Sequence, residues 1–564
     1  MKKLLFLLLI VNFSSSIQSW INPSNHPQKQ SYHCISHESN YKIYPCADFH
    51  QNSNENETDY IVHARFANNI NQTGWSELDI RTNPDELDYL QAYLAGYLEG
   101  QITRQLIRSY WSNLLDGNEC QLYHDMIVKL LNNTIQRAFD NNNDPYWNQI
   151  LLQLYQLAGL DAGYVDKSIS VNEINDPNMI LEQINPCGTI LLHLYTEYDD
   201  LKYLLQRKPS EHPMDHCSAL IKILPNHSDI LVSHVTFANL KSMLRVLKRY
   251  ELNYRTSNSK TIVMSSYPGT LFSIDDYYLL SQHMVVQETT IHNYDEKLYK
   301  QININEMIFE FLRTMVANRL ARNGSEWAEI FGRYNSGTYN NQFMIIDYKQ
   351  FIPGQQIQSD FLWILEQMPN RIHAEDMTKI LIKQSYWPSY NLPYFQDIYQ
   401  ISKTDEMFKK FGEHYSYEKC ARAQIFNRDH HKVMNMTTMY HLMRYNNFKQ
   451  DPLSRCNCTP PYTGYRAISS RCDLNDPNGQ YPLYAYSFHS SAGLDAKITG
   501  YKMAKSLIMI AVSGPTYDQV PAFSWSTTKL KNIKHLDQPI EWRFKPIVTD
   551  WNRTTGFNQF KFDL

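Results

Sequence analysis

At residues 213–224 a polar loop turns abruptly into a strand-like run, and a lone thiol, Cys217, stands at the turning point. Residues 217–224 read as a strand. Pro225, Asn226, His227 and Ser228 supply turn chemistry, and residues 229–236 read as a second strand. The pair predicts a hairpin. With those four residues as the loop, Leu224 pairs with Asp229, and counting back pairs Ala219 with His234. Side chains alternate between faces of a strand, so Cys217, Ala219 and His234 share one face. His234 then lies diagonally from Cys217, roughly 7–8 Å backbone to backbone. A one-residue slip would turn His234 to the other face.

Cys217 has two readings. Most cysteines of secreted proteins pair or pack, and a buried thiol is a small hydrophobe. Alternatively, a cut between His216 and Cys217 would give Cys217 a free α-amine. That amine, with an ordinary pKa of about 8, is a general base within the same residue as the thiol.

The chain has 564 residues, a net charge of −4 and 43% hydrophobic residues. This balance fits a globular protein with a large core and carries no basic footprint for nucleic acid. No Pro/Gly/Ser linker or charge block divides it. The start reads Met1-Lys2-Lys3, then eight apolar residues, Leu4 to Val11, then Asn12-Phe13-Ser14-Ser15-Ser16. That is the pattern of a secretory signal, taken as residues 1–19, and it is too short to span a bilayer. No later segment reads as transmembrane. Asn-x-Ser/Thr triplets at Asn56, Asn71, Asn132, Asn226, Asn323, Asn435, Asn457 and Asn552 agree with passage through a secretory or lysosomal lumen. Nine cysteines is an odd number. Cys34 and Cys46 are close enough for a local bridge, as are Cys456, Cys458 and Cys472. One thiol is expected to be left over, with Cys217 the candidate.

Helical spacing predicts helices over residues 85–115, 119–139 and 146–157, then an amphipathic helix burying Leu240, Leu244, Leu247 and Met243. A further helix is expected over residues 305–321. Strands are expected at 261–265, 271–274, 284–290, 343–348, 496–499 and 507–512. Strands clustered after Cys217, with helices before and among them, predict layered α+β packing.

Other features read as structural. Asp275-Asp276 look like a glycosidase pair, but adjacent residues of a strand point to opposite faces. His430-His431 read as a solvated loop rather than a metal site. No zinc-protease helix, serine elbow or phosphate loop is present.

Several runs together resemble one family: Asp215-His216-Cys217-Ser218-Ala219-Leu220-Ile221-Lys222, Ser265-Ser266-Tyr267-Pro268-Gly269-Thr270, Glu288-Thr289-Thr290 and the run 335–342. Ser389-Tyr390-Asn391-Leu392-Pro393 and Ala421-Arg422-Ala423-Gln424-Ile425-Phe426 continue it. In order, across essentially the whole mature chain, they resemble the phospholipase B-like family of N-terminal-nucleophile (Ntn) hydrolases. The resemblance implies a four-layer αββα fold with a helical N-terminal segment. It also implies self-cleavage before Cys217 into chains 20–216 and 217–564 that stay together. Cys217 matches the nucleophile, His234 the histidine of the adjoining strand, Asn391 an asparagine near the nucleophile and Arg422 a pocket arginine. Thr289 or Thr290 matches a pocket threonine. Phe237 stands where relatives carry tryptophan. The implied activity is removal of acyl chains from phospholipids, with no cofactor or metal. The alternatives are an Ntn amidase acting on N-acyl lipids or peptides, and a catalytically silent lipid-binding glycoprotein. Head-group preference and oligomeric state are left open.

Overall fold

The computed structural model describes residues 30–47, 60–206, 217–552 and 558–562. The expected signal, Asn56 and His216 lie outside the described residues.

The periodic segments of the first third form helices. One long stretch is split at Thr103, whose hydroxyl donates to Glu99 O at 2.7 Å, giving Asp88–Ile102 and Arg104–Leu114. Glu119–Asp140 follows, then Pro145–Tyr164, which begins on an Asp144 cap with proline in its first turn. Asp88–Ile102 and Pro145–Tyr164 touch backbone to backbone. A Cβ on Gly96 would sit 1.9 Å from Gln156 O, and one on Gly159 would sit 1.9 Å from Tyr93 O. Only glycine permits that approach.

Two large sheets make the protein an α+β structure. The eleven-stranded sheet includes Trp75–Thr82, Arg245–Glu251, Thr261–Ser266, Tyr277–Leu280, Met284–Thr290 and Asn341–Asp347 as neighbours in that order. Its pairs are antiparallel except Trp75–Thr82 with Arg245–Glu251. The seven-stranded sheet begins Tyr386–Ser389, Ser218–Ile223, Ile230–Val235, Asp495–Thr499, Ile510–Ser513.

Alternation along the strands sorts the core. Ala219, Ile221, Ile230 and Val232 pack with Leu247, Val263, Val285 and Met344 of the other sheet. Their neighbours Leu220, Leu231 and Val235 pack instead with Ile425, Phe426 and Met439 of the helices Ala421–Asp429 and Met436–Met443. The opposite face of the large sheet, with Val246, Met264, Val286 and Ile345, packs on Leu94, Leu98, Ile150 and Leu154.

Three expectations change. Residues 240–247 do not form a helix: a short 3-10 turn, Leu240–Ser242, leads into the strand Arg245–Glu251. Leu240, Met243, Leu244 and Leu247 are all buried, as the apolar spacing predicts. The strand form wins because a ladder is available on both sides, to Trp75–Thr82 and to Thr261–Ser266. The strand expected at 271–274 lies further on, at Tyr277–Leu280, because Ile274 takes a left-handed φ of +61° that breaks extended chain. The helix expected from residue 305 begins at Glu310.

The cysteine arithmetic also changes. Cys34–Cys46, Cys120–Cys187 and Cys456–Cys458 are disulfides. Cys217, Cys420 and Cys472 are all buried thiols, so three are left over rather than one. No helix among the described residues is long and apolar enough to cross a membrane.

Candidate active site around Cys217

The hairpin has the expected register. Ser218–Ile223 pairs with Ile230–Val235 through Ala219↔His234, and Leu224 N donates to Asp229 O at 2.9 Å. Asn226 and His227 take φ of +56° and +50°, which closes the turn. Ala219 and His234 therefore face the space between the sheets, and Cys217 stands at the head of the strand, buried. Its sulfur, a ring nitrogen of His234 and a carboxylate oxygen of Glu288 lie within 4.8 Å of one another.

His234 is fully buried. Its Nε2 lies 3.0 Å from the Glu288 backbone carbonyl. A carbonyl only accepts, so Nε2 carries the proton and Nδ1 keeps its lone pair. Burial first, and then Lys497, push the imidazole down to about 3. His234 is thus neutral across the ordinary pH range and too weak a base to deprotonate a thiol.

The outer neighbour of the Cys217 strand is Tyr386–Ser389, paired through Ser389↔Ala219. The chain leaving it puts Asn391 beside the other sheet. Asn391 is buried at a left-handed φ of +71°, a conformation asparagine tolerates. Its Nδ2 donates to Thr290 O at 2.8 Å. Thr289 and Thr290 divide their roles. Thr289 Oγ1 lies 2.6 Å from Ser389 Oγ and ties the two sheets together, whereas Thr290 lines the cavity at Cys217.

Arg422 is the second residue of the helix Ala421–Asp429 and is buried. Its Nη1 donates to Cys217 O at 2.6 Å and to Ser218 Oγ at 3.3 Å, and its Nη2 to Tyr390 O at 2.8 Å. One planar fork clamps the first residues of the Cys217 strand to the loop that carries Asn391.

The cavity at Cys217 measures about 20 Å³ and is walled by Phe237, Tyr110, Tyr267, Tyr339, Thr236 and Asp275 among others. Phe237 packs edge-on against Tyr465 at 5.9 Å. Such a volume admits about one water.

A buried ion network that sequence reasoning did not find forms the polar wall. Lys497 Nζ donates to Asp275 at 2.6 Å, to Asp495 at 2.8 Å and to Thr236 at 2.7 Å. Arg245 donates to the same two carboxylates at 2.7 and 2.9 Å. Burial works to raise the Asp275 carboxyl, but Arg245 and Lys497 together hold it below the usual range. The available signal was the alternation of Asp495 and Lys497 through an otherwise apolar strand: charges on a buried face must be paired. Asp275 and Asp276 do not act as a pair. They precede the strand rather than lie in it, and Asp276 turns away to accept from Tyr278 at 2.7 Å.

The other sequence candidates lie elsewhere. His430 stacks on Tyr386 at 3.9 Å in a short 3-10 turn. Asn71, Asn132, Asn226, Asn457 and Asn552 are exposed, and half-buried Asn323 and Asn435 cap helices.

A family model described as Phospholipase B matches residues 62–549. The chain belongs to the phospholipase B family. It is 40% identical over 517 residues to the Homo sapiens protein named "Putative phospholipase B-like 2", covering 88% of this chain and 86% of that one. It is 39% identical over 513 residues to "Putative phospholipase B-like 1" of Caenorhabditis elegans, covering 87% and 88%. The Dictyostelium discoideum "Phospholipase B-like protein B" is 36% identical over 500 residues, covering 85% and 83%. The family match spans every element that contributes to the Cys217 site.

Proposed function

We propose that this member of the phospholipase B family is a phospholipid acyl hydrolase of the Ntn type, with Cys217 as nucleophile after self-cleavage of the His216–Cys217 bond. The observation that carries this reading is the placement of Cys217: it heads the second strand of the seven-stranded sheet, whose inner face packs on the other sheet, with Arg422 clamped to its carbonyl. The succession of helices, sheet, sheet and helices supports the four-layer αββα assignment. The secretory signal, the asparagine triplets and a secretory or lysosomal destination belong to the same reading.

The chemistry follows from the residues. A neutral, weakly basic His234 leaves the α-amine of Cys217 as the base. The amine takes the thiol proton, and the thiolate forms a C–S bond to the acyl carbonyl carbon. The oxyanion is held by an N–H donor such as the second Nδ2 proton of Asn391. On collapse the ester C–O bond breaks, the leaving alkoxide takes the proton from the ammonium, and a thioester remains. Water then attacks, the amine accepts its proton, the C–S bond breaks and fatty acid leaves. Phe237 and the surrounding tyrosines offer an apolar slot for the acyl chain.

N-terminal sequencing of the purified protein, followed by mass spectrometry of products from a phospholipid and N-acyl amide panel, tests the reading. The expected result is a chain starting at Cys217 that releases fatty acid from diacyl and lyso phospholipids. Cleavage of N-acyl amides alone would replace it with the amidase reading. A processed chain that turns over neither would replace it with lipid binding.

A further inference from the structure

Behind Arg422 lies a second chamber, lined by Arg422, Arg466, His414, His292, Asn391 and Tyr486 among others. Its lining holds two arginines and, among the described residues, no carboxylate. Arg422 is buried, yet among the described residues it donates only to Cys217 O, Ser218 Oγ and Tyr390 O. Arg466 donates to Leu453 O at 3.0 Å and to the Tyr486 hydroxyl at 3.2 Å. Every acceptor is neutral, and among the described residues neither guanidinium forms an ion pair with a carboxylate. Some buried charge in this protein is paired, as for Arg245 with Asp275 and Asp495 and for Lys248 with Glu99, and some is not, as for Arg313 and Arg319; Arg422 and Arg466 differ from the latter in lining this chamber. A buried cation without a counter-ion is costly, and a bound anion removes that cost.

His414 lies in the same field. His414 Nδ1 lies 3.1 Å from the Tyr486 hydroxyl, which itself accepts from Arg466. If the tyrosine proton points to Nδ1, a neutral His414 carries its own proton on Nε2 as a further donor. Burial first, then Arg422 and Arg466, depress His414. Glu413, the acid that acts on Tyr486, is exposed.

We infer that this chamber is an oxyanion subsite that receives the phosphodiester of the lipid headgroup, with Arg466 and His414 as binding residues and Arg422 shared with the Cys217 site. The inference rests on the acyl hydrolase reading for its choice of phosphate. Two guanidinium groups without carboxylate partners and an imidazole make a donor-rich site suited to phosphate oxygens. In a glycerophospholipid only a short stretch of glycerol separates the acyl ester from the phosphate. Arg422 lines this chamber and donates to the carbonyl of Cys217, which lines the other.

The test is calorimetric titration of the processed protein with glycerophosphocholine and, separately, with inorganic phosphate. The parent is expected to bind both. Arg466→Gln should weaken glycerophosphocholine binding at least tenfold, Arg466→Lys should keep more of it, and His414→Gln should weaken it several-fold. Binding of inorganic phosphate alone would make this a free-phosphate site and overturn the headgroup assignment. Absence of binding by the parent, or parent-like binding in both Arg466→Gln and His414→Gln, would also overturn it. The titration needs no turnover, so a protein that binds glycerophosphocholine but releases no fatty acid would sink the hydrolase reading and leave the subsite standing.

Discussion

Arg422 Nη1 donates to the Cys217 carbonyl oxygen at 2.6 Å while Nη2 of the same guanidinium donates to Tyr390 O at 2.8 Å. The second acceptor directly precedes Asn391. One side chain therefore sets the distance between the proposed nucleophile and the proposed oxyanion donor. Lysine can occupy only one of these positions at a time. Arg422→Lys is expected to lower turnover by at least about tenfold and to slow chain cleavage. Product release by mass spectrometry and the fraction of cut chain on a denaturing gel measure the two effects.

Cleavage before Cys217 is expected to be the work of Cys217 itself. Cys217→Ala should remain one chain of precursor length without its signal, and Cys217→Ser should cut slowly, since a hydroxyl can also accept the acyl group. Normal two-chain processing in the alanine variant would assign the cut to an outside protease.

The hairpin was legible because two independent signals agree there: the turn chemistry of residues 225–228 and the alternation on either side. Together they place His234 opposite Ala219. Residues 240–247 depart from the helix expectation for the opposite reason. The spacing of Leu240, Met243, Leu244 and Leu247 fits a helix, and what overrides it is a ladder to strands 170 residues upstream and 10 to 20 downstream. Asn391 and Arg422 carry no local signal at all. They were found only through the family resemblance, because their partners, Thr290 O and Cys217 O, are backbone atoms that any residue could supply. The Arg245–Asp275–Asp495–Lys497 network joins three separate stretches of chain; the alternation of Asp495 and Lys497 signals that partners are needed, but not which residues supply them.

The glycine contact between the helices Asp88–Ile102 and Pro145–Tyr164 gives a stability prediction. A Cβ on Gly159 meets Tyr93 O, a backbone atom that cannot swing aside. Gly159→Ala is expected to destabilise the protein by about 1–3 kcal/mol, toward the upper end of the range for overpacking. Chemical denaturation checks this. Gly117→Ala, where nothing lies within 4 Å, is the control for space, although its φ of +93° adds some backbone strain.

Asn391 combines an amide donor with a left-handed backbone, and two substitutions separate them. Asn391→Ala removes the donor and strains the backbone. Asn391→Gly removes the donor and relieves the strain. Both should lower turnover by about 10²–10³ if the amide serves the oxyanion. Only the alanine variant should also lose stability, on the order of 1 kcal/mol. Turnover restored by glycine would show that Asn391 matters for its backbone alone.

Glu366 makes the loop after Asn391 sensitive to pH. Its carboxyl accepts from Tyr394 N at 2.6 Å, from Phe395 N at 3.1 Å and from Gln342 Nε2 at 2.6 Å. It is fully buried, and burial outweighs those three donors to push it up to about 7 from 4.5. The folded protein therefore holds this proton more tightly than the unfolded chain. The contribution is fully present below pH 4.5 and is lost as pH rises through about 7. Glu366→Gln keeps an acceptor oxygen but cannot ionise. The stability of the parent minus that of the variant should fall between pH 4.5 and 7.5, by at most about 3 kcal/mol. Urea unfolding of both proteins at the two pH values measures it. A difference that does not change with pH, or that grows toward alkaline pH, would show that Glu366 is already ionised in the folded protein at acidic pH.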